Sequence, residues 1–125
     1  MTHKQYEEFI LSLDGTWLDY PFGESVAVYK FGDKKQETGS LSQEDTDKPE
    51  GKMFALIAEG SEPLRLSLKC DPQLAKTLRE KYESVQPGHH LHKKHWNTIL
   101  CTGQLDDEEI KDLIRHSYQL VGGTI

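Results

Sequence analysis

The segment Leu64-Arg65-Leu66-Ser67-Leu68-Lys69-Cys70-Asp71-Pro72 (residues 64–72, LRLSLKCDP) contains a clear strand pattern followed directly by a helix start. Its first six residues alternate strictly between leucine and a polar residue, which is the period of a strand that buries one face. We therefore expect the leucines to face the core, and Arg65, Ser67 and Lys69 to face water or a partner. The next two residues, Asp71-Pro72, are a strong helix start, because an acidic N-cap precedes proline at the first helical position.

Three further strands are predicted before this segment. Residues 52–58 have strand character, and the turn residues 59–63 join them to residues 64–69 as a hairpin. Residues 17–20 and 25–31 are rich in β-branched and aromatic residues and are separated by the turn-forming Pro21-Phe22-Gly23. The short turns at residues 21–24 and 59–63 indicate two antiparallel hairpins.

Three amphipathic helices are predicted. Capping boxes formed by Thr2 with Gln5 and by Asp106 with Glu109 start the first and third helices, and the second starts at the proline described above. Apolar residues at helical spacing follow each start. With a further strand at residues 96–101, the order is helix, three or four strands, helix, one or two strands, helix.

Adjacent hairpins flanked by three helices favour an α+β fold of two layers over a parallel doubly wound sheet. We expect an antiparallel sheet of about five strands, in α-β-β-β-(β)-α-β-α order, in one domain spanning residues 1–125. A chain of 125 residues with 35% hydrophobic residues can bury a core without a disulfide or metal. The polar residues 32–51 are predicted to form a mobile loop.

Composition limits the function classes. The net charge of −6 argues against a surface that binds polyanions throughout, so any nucleic-acid contact needs a local basic patch. Cys70 and Cys101 belong to no CxxC pair and are expected to be reduced thiols. The longest apolar run, residues 53–58, is too short to cross a bilayer, and the N-terminus lacks the apolar centre of a signal peptide. We expect a cytoplasmic monomer with no membrane contact.

The segment from Pro87 to Asn97, PGHHLHKKHWN, contains four of the six histidines beside two lysines and a tryptophan. A metal site needs three or four donors that converge on one point. On a strand these histidines divide between two faces, and neither a CxxC nor an HExxH motif nor a nearby carboxylate completes a set. We therefore expect no metal and no cofactor.

The same segment has better support as a nucleic-acid contact. Residues 84–105 contain no aspartate or glutamate, so Lys93 and Lys94 lie in a long acid-free window of an acidic chain. Histidine and asparagine can donate to phosphate or bases, and an exposed Trp96 could stack. The alternative is that Trp96 is a core anchor and the lysines form a solvated turn.

Catalytic motifs are not found. There is no GxSxG, no Gly-rich phosphate loop and no pair of carboxylates in an apolar setting. The acidic residues 106–109 are better explained by the dipole at a helix N-terminus. Cys101 and His95 would lie roughly 20 Å apart on a strand at about 3.3 Å per residue. We expect no catalytic residues and no enzyme.

Five separated motifs, in order, resemble the MmcQ/YjbR family of small bacterial proteins along nearly the whole chain. They are Tyr20-Pro21-Phe22-Gly23, Lys52-Met53-Phe54-Ala55, Leu68-Lys69-Cys70-Asp71-Pro72, Pro87-Gly88-His89 with Lys93-Lys94-His95-Trp96-Asn97-Thr98, and Ser117-Tyr118. The resemblance implies a compact α+β domain described as DNA-binding through a double-wing arrangement of strands, with no known catalytic activity. His90 and His92 depart from the family pattern, as does the long, acidic polar segment at 34–48.

The leading hypothesis is weak, mainly electrostatic DNA binding. The candidate contacts are Lys93, Lys94, His89, His95 and Asn97, with Arg65 and Lys69 from the outer face of the hairpin. The alternative is a module that binds a protein or a small ligand in a cleft walled by residues 87–97. A third hypothesis, an enzyme, predicts a perturbed titration of His89, His95 or Cys70 in a pocket.

Overall fold

The computed structural model describes residues 1–32, 51–88 and 91–124. These residues form three helices and six strands. The elements are α1 (His3–Leu11), β1 (Thr16–Asp19), β2 (Val26–Phe31), β3 (Lys52–Ala58), β4 (Arg65–Lys69), α2 (Pro72–Lys81), β5 (Val85–Pro87), β6 (Trp96–Leu100) and α3 (Asp107–Leu120).

The strands form one antiparallel sheet in the order β1-β2-β3-β4-β6-β5. The first four strands are neighbours in sequence, and α2 then carries the chain to the far edge before β6 returns to pair with β4. The α+β fold with an antiparallel sheet is confirmed. The sheet has six strands, which is the upper end of the predicted three or four before α2 and one or two after it; the sequence pattern marks no residue range for the short β5. So short a segment ending in proline has no alternation of its own and becomes a strand only because β6 lies beside it.

The predicted helix starts are confirmed. Thr2 and Asp106 each form a complete capping box at the N-termini of α1 and α3. The Asp71 carboxylate accepts hydrogen bonds from the backbone amides of Gln73 and Leu74, at 3.0 and 3.1 Å. Each cap satisfies amides that have no partner within the helix.

The main core lies between the sheet and the helices. Leu66 and Leu68 on β4 are buried in it, as the alternation in residues 64–69 predicts. The Tyr118 ring of α3 packs edge-on against Phe31 and Phe54, with ring centroids 5.3 and 5.8 Å away. A smaller cluster of Val28, Leu56 and Trp96 lies apart from this core, packed with half-buried Val26, Met53 and Leu91.

A β-bulge in β3 aligns the sheet with α3. Tyr29 pairs with Ala55 and Lys30 pairs with Met53, so Phe54 is an extra residue without a Cα partner. The backbone carbonyl of Phe54 accepts a hydrogen bond of 2.5 Å from the buried hydroxyl of Ser117. The bulge thus supplies an acceptor for a buried polar group of the helix layer.

Residues 33–50, which include most of the predicted mobile loop, lie outside the described residues, so that prediction is not tested. Within residues 1–32, 51–88 and 91–124, no helix is long and apolar enough to cross a membrane. Cys70 and Cys101 are free thiols, as predicted.

Candidate functional site

One row of side chains crosses the sheet on the face that carries the smaller cluster. In register, Val28 lies opposite Leu56, Leu56 opposite Ser67, Ser67 opposite Thr98, and Thr98 opposite Gln86. Leu66 and Leu68 point into the main core, so alternation directs Ser67 away from the helices. The row therefore runs from apolar on β2 and β3 to polar on β4, β6 and β5.

A groove of about 510 Å³ lies on this face. Its apolar lining residues are Phe22, Val26, Leu56, Ala58, Pro87 and Leu91. Its polar lining residues are Arg65, Ser67, Gln86 and Thr98. Small-molecule sites of about 300–1,000 Å³ commonly combine a mainly apolar lining with a few polar groups, and the groove has both properties.

The polar side of the groove contains one fixed hydroxyl pair and one cation. The Ser67 and Thr98 hydroxyl oxygens are 2.8 Å apart, within hydrogen-bonding distance. Arg65 is exposed, and its backbone amide donates to the Ser61 hydroxyl at 2.9 Å, which fixes the start of β4. Among the described residues no carboxylate forms an ion pair with the Arg65 guanidinium.

One wall of the groove is the turn that connects β1 to β2. Its Phe22 side chain is 58% exposed, which is unusual for a phenylalanine. The Gly23 amide closes the turn by donating to the Tyr20 carbonyl at 3.2 Å, and Gly23 has a φ of 101°. The Tyr20 hydroxyl donates to the Glu59 carboxylate at 3.0 Å. This hydrogen bond connects the turn to the end of β3, so the exposed ring is held by an anchored turn.

The opposite wall comes from the segment after β5. Pro87 and Leu91 line the groove, and the Gly88 amide donates to the Trp96 carbonyl at 2.9 Å. A Cβ at Gly88 would lie 2.6 Å from the Trp96 Cβ, so only glycine allows this approach. The Trp96 side chain is 6% exposed and packs in the smaller cluster. The core-anchor interpretation of Trp96 therefore agrees with its position, and the stacking interpretation does not.

Arg65 and Lys69 occupy the face of β4 that carries the groove, as the alternation predicts. Lys69 pairs in register with Trp96, and exposed Lys93 and Lys94 lie in the turn that leads into this tryptophan. The four cations thus come from two neighbouring parts of the structure. Only Arg65 lines the groove.

Of the two histidines predicted to contact DNA, the structure describes only His95. His95 is half-buried, and its ring centroid lies 4.8 Å from that of His92. His89 lies outside the described residues. Within the described part of the chain, no group of three or more His, Cys, Asp or Glu side chains could hold a metal ion.

Asn97 has a different position from the one its predicted DNA contact requires. It is 2% exposed, and its Nδ2 donates to the Ala75 carbonyl of α2 at 3.2 Å. Asn97 shares a strand face with Ile99, which lies in the main core, so its side chain points inward. We therefore remove Asn97 from the candidate contact surface and assign it a structural role between β6 and α2.

Cys70 is not an activated nucleophile. Burial is the main cause that raises its pKa to about 11, and the charge of Asp71 adds to the effect. Burial also raises the pKa of Cys101. Both side chains therefore remain thiols at neutral pH, whereas a nucleophilic cysteine needs a lowered pKa.

Sequence reasoning identified Arg65 and the 87–97 segment but missed the other groove residues. Phe22, Val26, Leu56 and Gln86 are individually unremarkable and far apart in the chain. Phe22 offered the one available signal, since a large aromatic residue between Pro21 and Gly23 in a turn has few ways to be buried.

The fold and groove define a class of protein: an α+β sandwich with helices on one face of an antiparallel sheet and a groove on the other. The chain belongs to the YjbR family, whose model matches residues 11–120. This finding confirms the resemblance carried by the five motifs.

Relatives and solved structures agree with this assignment. The chain is 40% identical over 72 residues to Escherichia coli "Uncharacterized protein YjbR", covering 58% of this chain and 61% of that relative. It is 29% identical to Escherichia coli O157:H7 "Uncharacterized protein YbdF" over 95% of this chain and 83% of the relative. The crystal structure of Deinococcus radiodurans protein DR2400, a DUF419 domain, has a TM-score of 0.80 and 32% identity, covering 96% of this chain and 78% of that one. A Pseudomonas syringae crystal structure has a TM-score of 0.70 and 26% identity, covering 97% and 99%.

Proposed function

We propose that this protein is a binding module for a small ligand held in the groove on the open face of the sheet. The observation that carries the proposal is the groove itself, about 510 Å³ with an apolar side and a polar side. Such a volume and lining are typical of small-molecule sites. A cytoplasmic location, a monomeric state and the lack of catalysis stay predictions.

The exposed Phe22 adds to the support. Leaving a phenylalanine 58% exposed forgoes part of the roughly 1.5–3 kcal/mol that burial of such a side chain contributes. A ligand that covers the ring would recover this free energy. The anchored turn also limits the entropy lost when the ring is covered, which favours binding.

An amide-shift NMR titration with a library of soluble single-ring fragments tests this function. We expect binding fragments to shift the backbone amides of Phe22, Ser67 and Thr98. Ala58→Leu fills the groove from its half-buried floor and should abolish these shifts. Thr77→Leu, on the exposed face of α2, is the matched control and should retain them. Fragments that shift helix-layer amides only, or bind Ala58→Leu equally well, would contradict the proposal.

DNA binding is a second candidate, supported by four cations on and beside the groove face. Within the described residues, Arg65, Lys69, Lys93 and Lys94 form no ion pair with a carboxylate. If each neutralises one phosphate, the slope of log affinity against log salt should be about −3 to −4. With so few cations and a net charge of −6, we expect weak binding without sequence preference.

Charge reversal separates the two candidates. Lys93→Glu combined with Lys94→Glu should abolish binding of a short mixed-sequence duplex at low salt, because two of four phosphate contacts become repulsive. The same double variant should bind groove fragments normally, since neither lysine lines the groove. A salt slope near zero would rule out the electrostatic mechanism for DNA.

A further inference from the structure

We infer that the groove selects a ligand with one carboxylate attached to an apolar body, with the carboxylate on Arg65 and the body against Phe22 and Val26. The inference rests on the proposed function and names the ligand class of the same groove. It depends on how charge and apolar surface are arranged across the strands.

The charge of the groove comes from one residue. Arg65 is the single charged side chain among the described lining residues, and no carboxylate within the described ranges pairs with it. One permanent positive charge is matched by one negative charge, so a monoanion is the complementary ligand. The planar guanidinium can donate two parallel hydrogen bonds to a carboxylate, the pairing geometry for which arginine is best suited.

The polar neighbours of Arg65 extend this anion site. Ser67 lies two residues further along the same face of β4, about 7 Å away at 3.4 Å per residue. The Ser67 and Thr98 hydroxyl oxygens are 2.8 Å apart, and Ser67 is half-buried among the groove residues. A hydroxyl in this position can donate to a carboxylate oxygen that Arg65 leaves unpaired.

The apolar surface lies on the other side of Arg65. Val26 pairs in register with Ala58, and β4 follows β3 in the sheet, so an apolar strip runs from β4 toward the Phe22 turn. A body that covers this strip also removes water from around the guanidinium. Lower local dielectric strengthens the attraction between the two charges, so the apolar and ionic contacts support each other.

A matched ligand series tests the inference on the full chain. The probes are 3-phenylpropanoate, 3-phenylpropanol and 3-phenylpropyl phosphate, which share one ring and a three-carbon chain and differ in the oxygen-bearing group at the end of that chain. Affinities are measured by NMR titration of the Ser67, Thr98 and Phe22 amides. A hydrogen-bonded ion pair should make the carboxylate bind about tenfold or more tightly than the alcohol. It should also bind more tightly than the phosphate, whose second charge has no partner in the groove.

Substitutions assign the effect to Arg65. Arg65→Gln should reduce carboxylate affinity about tenfold, to that of the alcohol, and leave alcohol affinity unchanged. Arg65→Lys should restore part of the loss because it keeps the charge but not the planar pairing. Arg115→Gln, which removes the same charge from α3 in the helix layer, is the control and should change nothing.

The outcomes distinguish this inference from the proposed function. If the carboxylate and the alcohol bind in the groove with equal affinity, the inferred ligand class is wrong and the small-ligand function still holds. Tighter binding of the phosphate would overturn the carboxylate assignment. If none of the three compounds shifts groove amides while other fragments do, the inference again fails alone. If no fragment shifts them, both fail.

Discussion

The substitution Asn97→Asp separates a buried structural role from a surface contact more sharply than any other change. The Asn97 side chain is 2% exposed, and its Nδ2 donates to the Ala75 carbonyl at 3.2 Å. Its Oδ1 has no hydrogen-bond partner among the described residues. The substitution keeps the shape of the side chain but replaces the donor with a carboxylate oxygen that faces a carbonyl.

The cost follows from burial and protonation. An unpaired buried charge destabilises by roughly 3–5 kcal/mol. The introduced carboxyl can avoid ionisation by remaining protonated, and raising a pKa of about 3.9 above pH 7 costs about 4 kcal/mol at 1.36 kcal/mol per unit. We therefore expect Asn97→Asp to lose about 3–4 kcal/mol at pH 7. The folded-state pKa is raised, so the loss should shrink as pH falls and approach zero below about pH 4, the pKa of the unfolded state, where both states hold the proton.

Urea unfolding followed by fluorescence of Trp17 and Trp96 measures this free energy. At a slope near 1.5 kcal/mol per molar urea, the midpoint should fall by about 2 M at pH 7. Asn97→Leu is the matched control. Asn97→Leu loses one hydrogen bond worth about 1 kcal/mol and also removes an unpartnered buried oxygen. We therefore expect its free energy of unfolding to lie within about 1 kcal/mol of the parent's.

Two results would refute the reasoning. One is an Asn97→Asp protein that is as stable at pH 7 as the parent, or whose loss does not depend on pH. The other is an Asn97→Leu protein that folds normally but no longer binds DNA, which would restore this residue to a contact surface.

Three further predictions concern stability. Because burial raises the Cys70 pKa from 9.0 to about 11, its stabilising contribution is complete below pH 9 and is lost as pH rises toward 11. The free energy of unfolding of the parent, measured with urea, should therefore fall by about 2 kcal/mol more than that of Cys70→Ala between pH 7 and pH 10.5. Equal falls in the two proteins would contradict the raised pKa. Ser117→Ala removes a buried hydrogen bond and should cost about 1–3 kcal/mol at pH 7, whereas exposed Ser12→Ala should cost under about 0.5. Asp106→Ala removes a capping box and should cost about 1 kcal/mol by thermal unfolding, while Asp112→Ala, in an exposed ion pair, should change stability by under about 0.5; similar values for both would refute the cap assignment.

The sequence predicted much of the candidate site on β4 and misplaced one residue on β6. Residues 64–69 can bury their three leucines in one register only, so Arg65 and Lys69 must lie on the opposite face of β4. Strand β6 reads Trp-Asn-Thr-Ile-Leu and is buried or nearly so throughout. Both of its faces are covered, so residue type alone placed Asn97 outward and left Trp96 open between a stacking role and a core-anchor role. The packing of Ile99 in the main core places the Asn97 side chain inward and the Trp96 side chain in the smaller cluster.

The bulge at Phe54 shows a second limit. Residues 53–58 are all apolar, and their pattern contains nothing that marks one residue as extra. The bulge depends on the register with β2 and on the Ser117 hydroxyl of α3, which lies 63 positions further along the chain. Such a feature depends on interactions between elements and has no local signal.

Local sequence was enough to predict the elements, their caps and the inward face of β4, because these depend on interactions within a few residues. Capping boxes join positions three apart, and alternation has a fixed period of two. The groove depends on the strand order of the sheet, since Phe22 is brought toward Arg65 by the pairing of β2, β3 and β4, and Gln86 by the pairing of β4, β6 and β5. That order depends on which strands bury the most apolar surface together, a property of the whole chain and of no single segment.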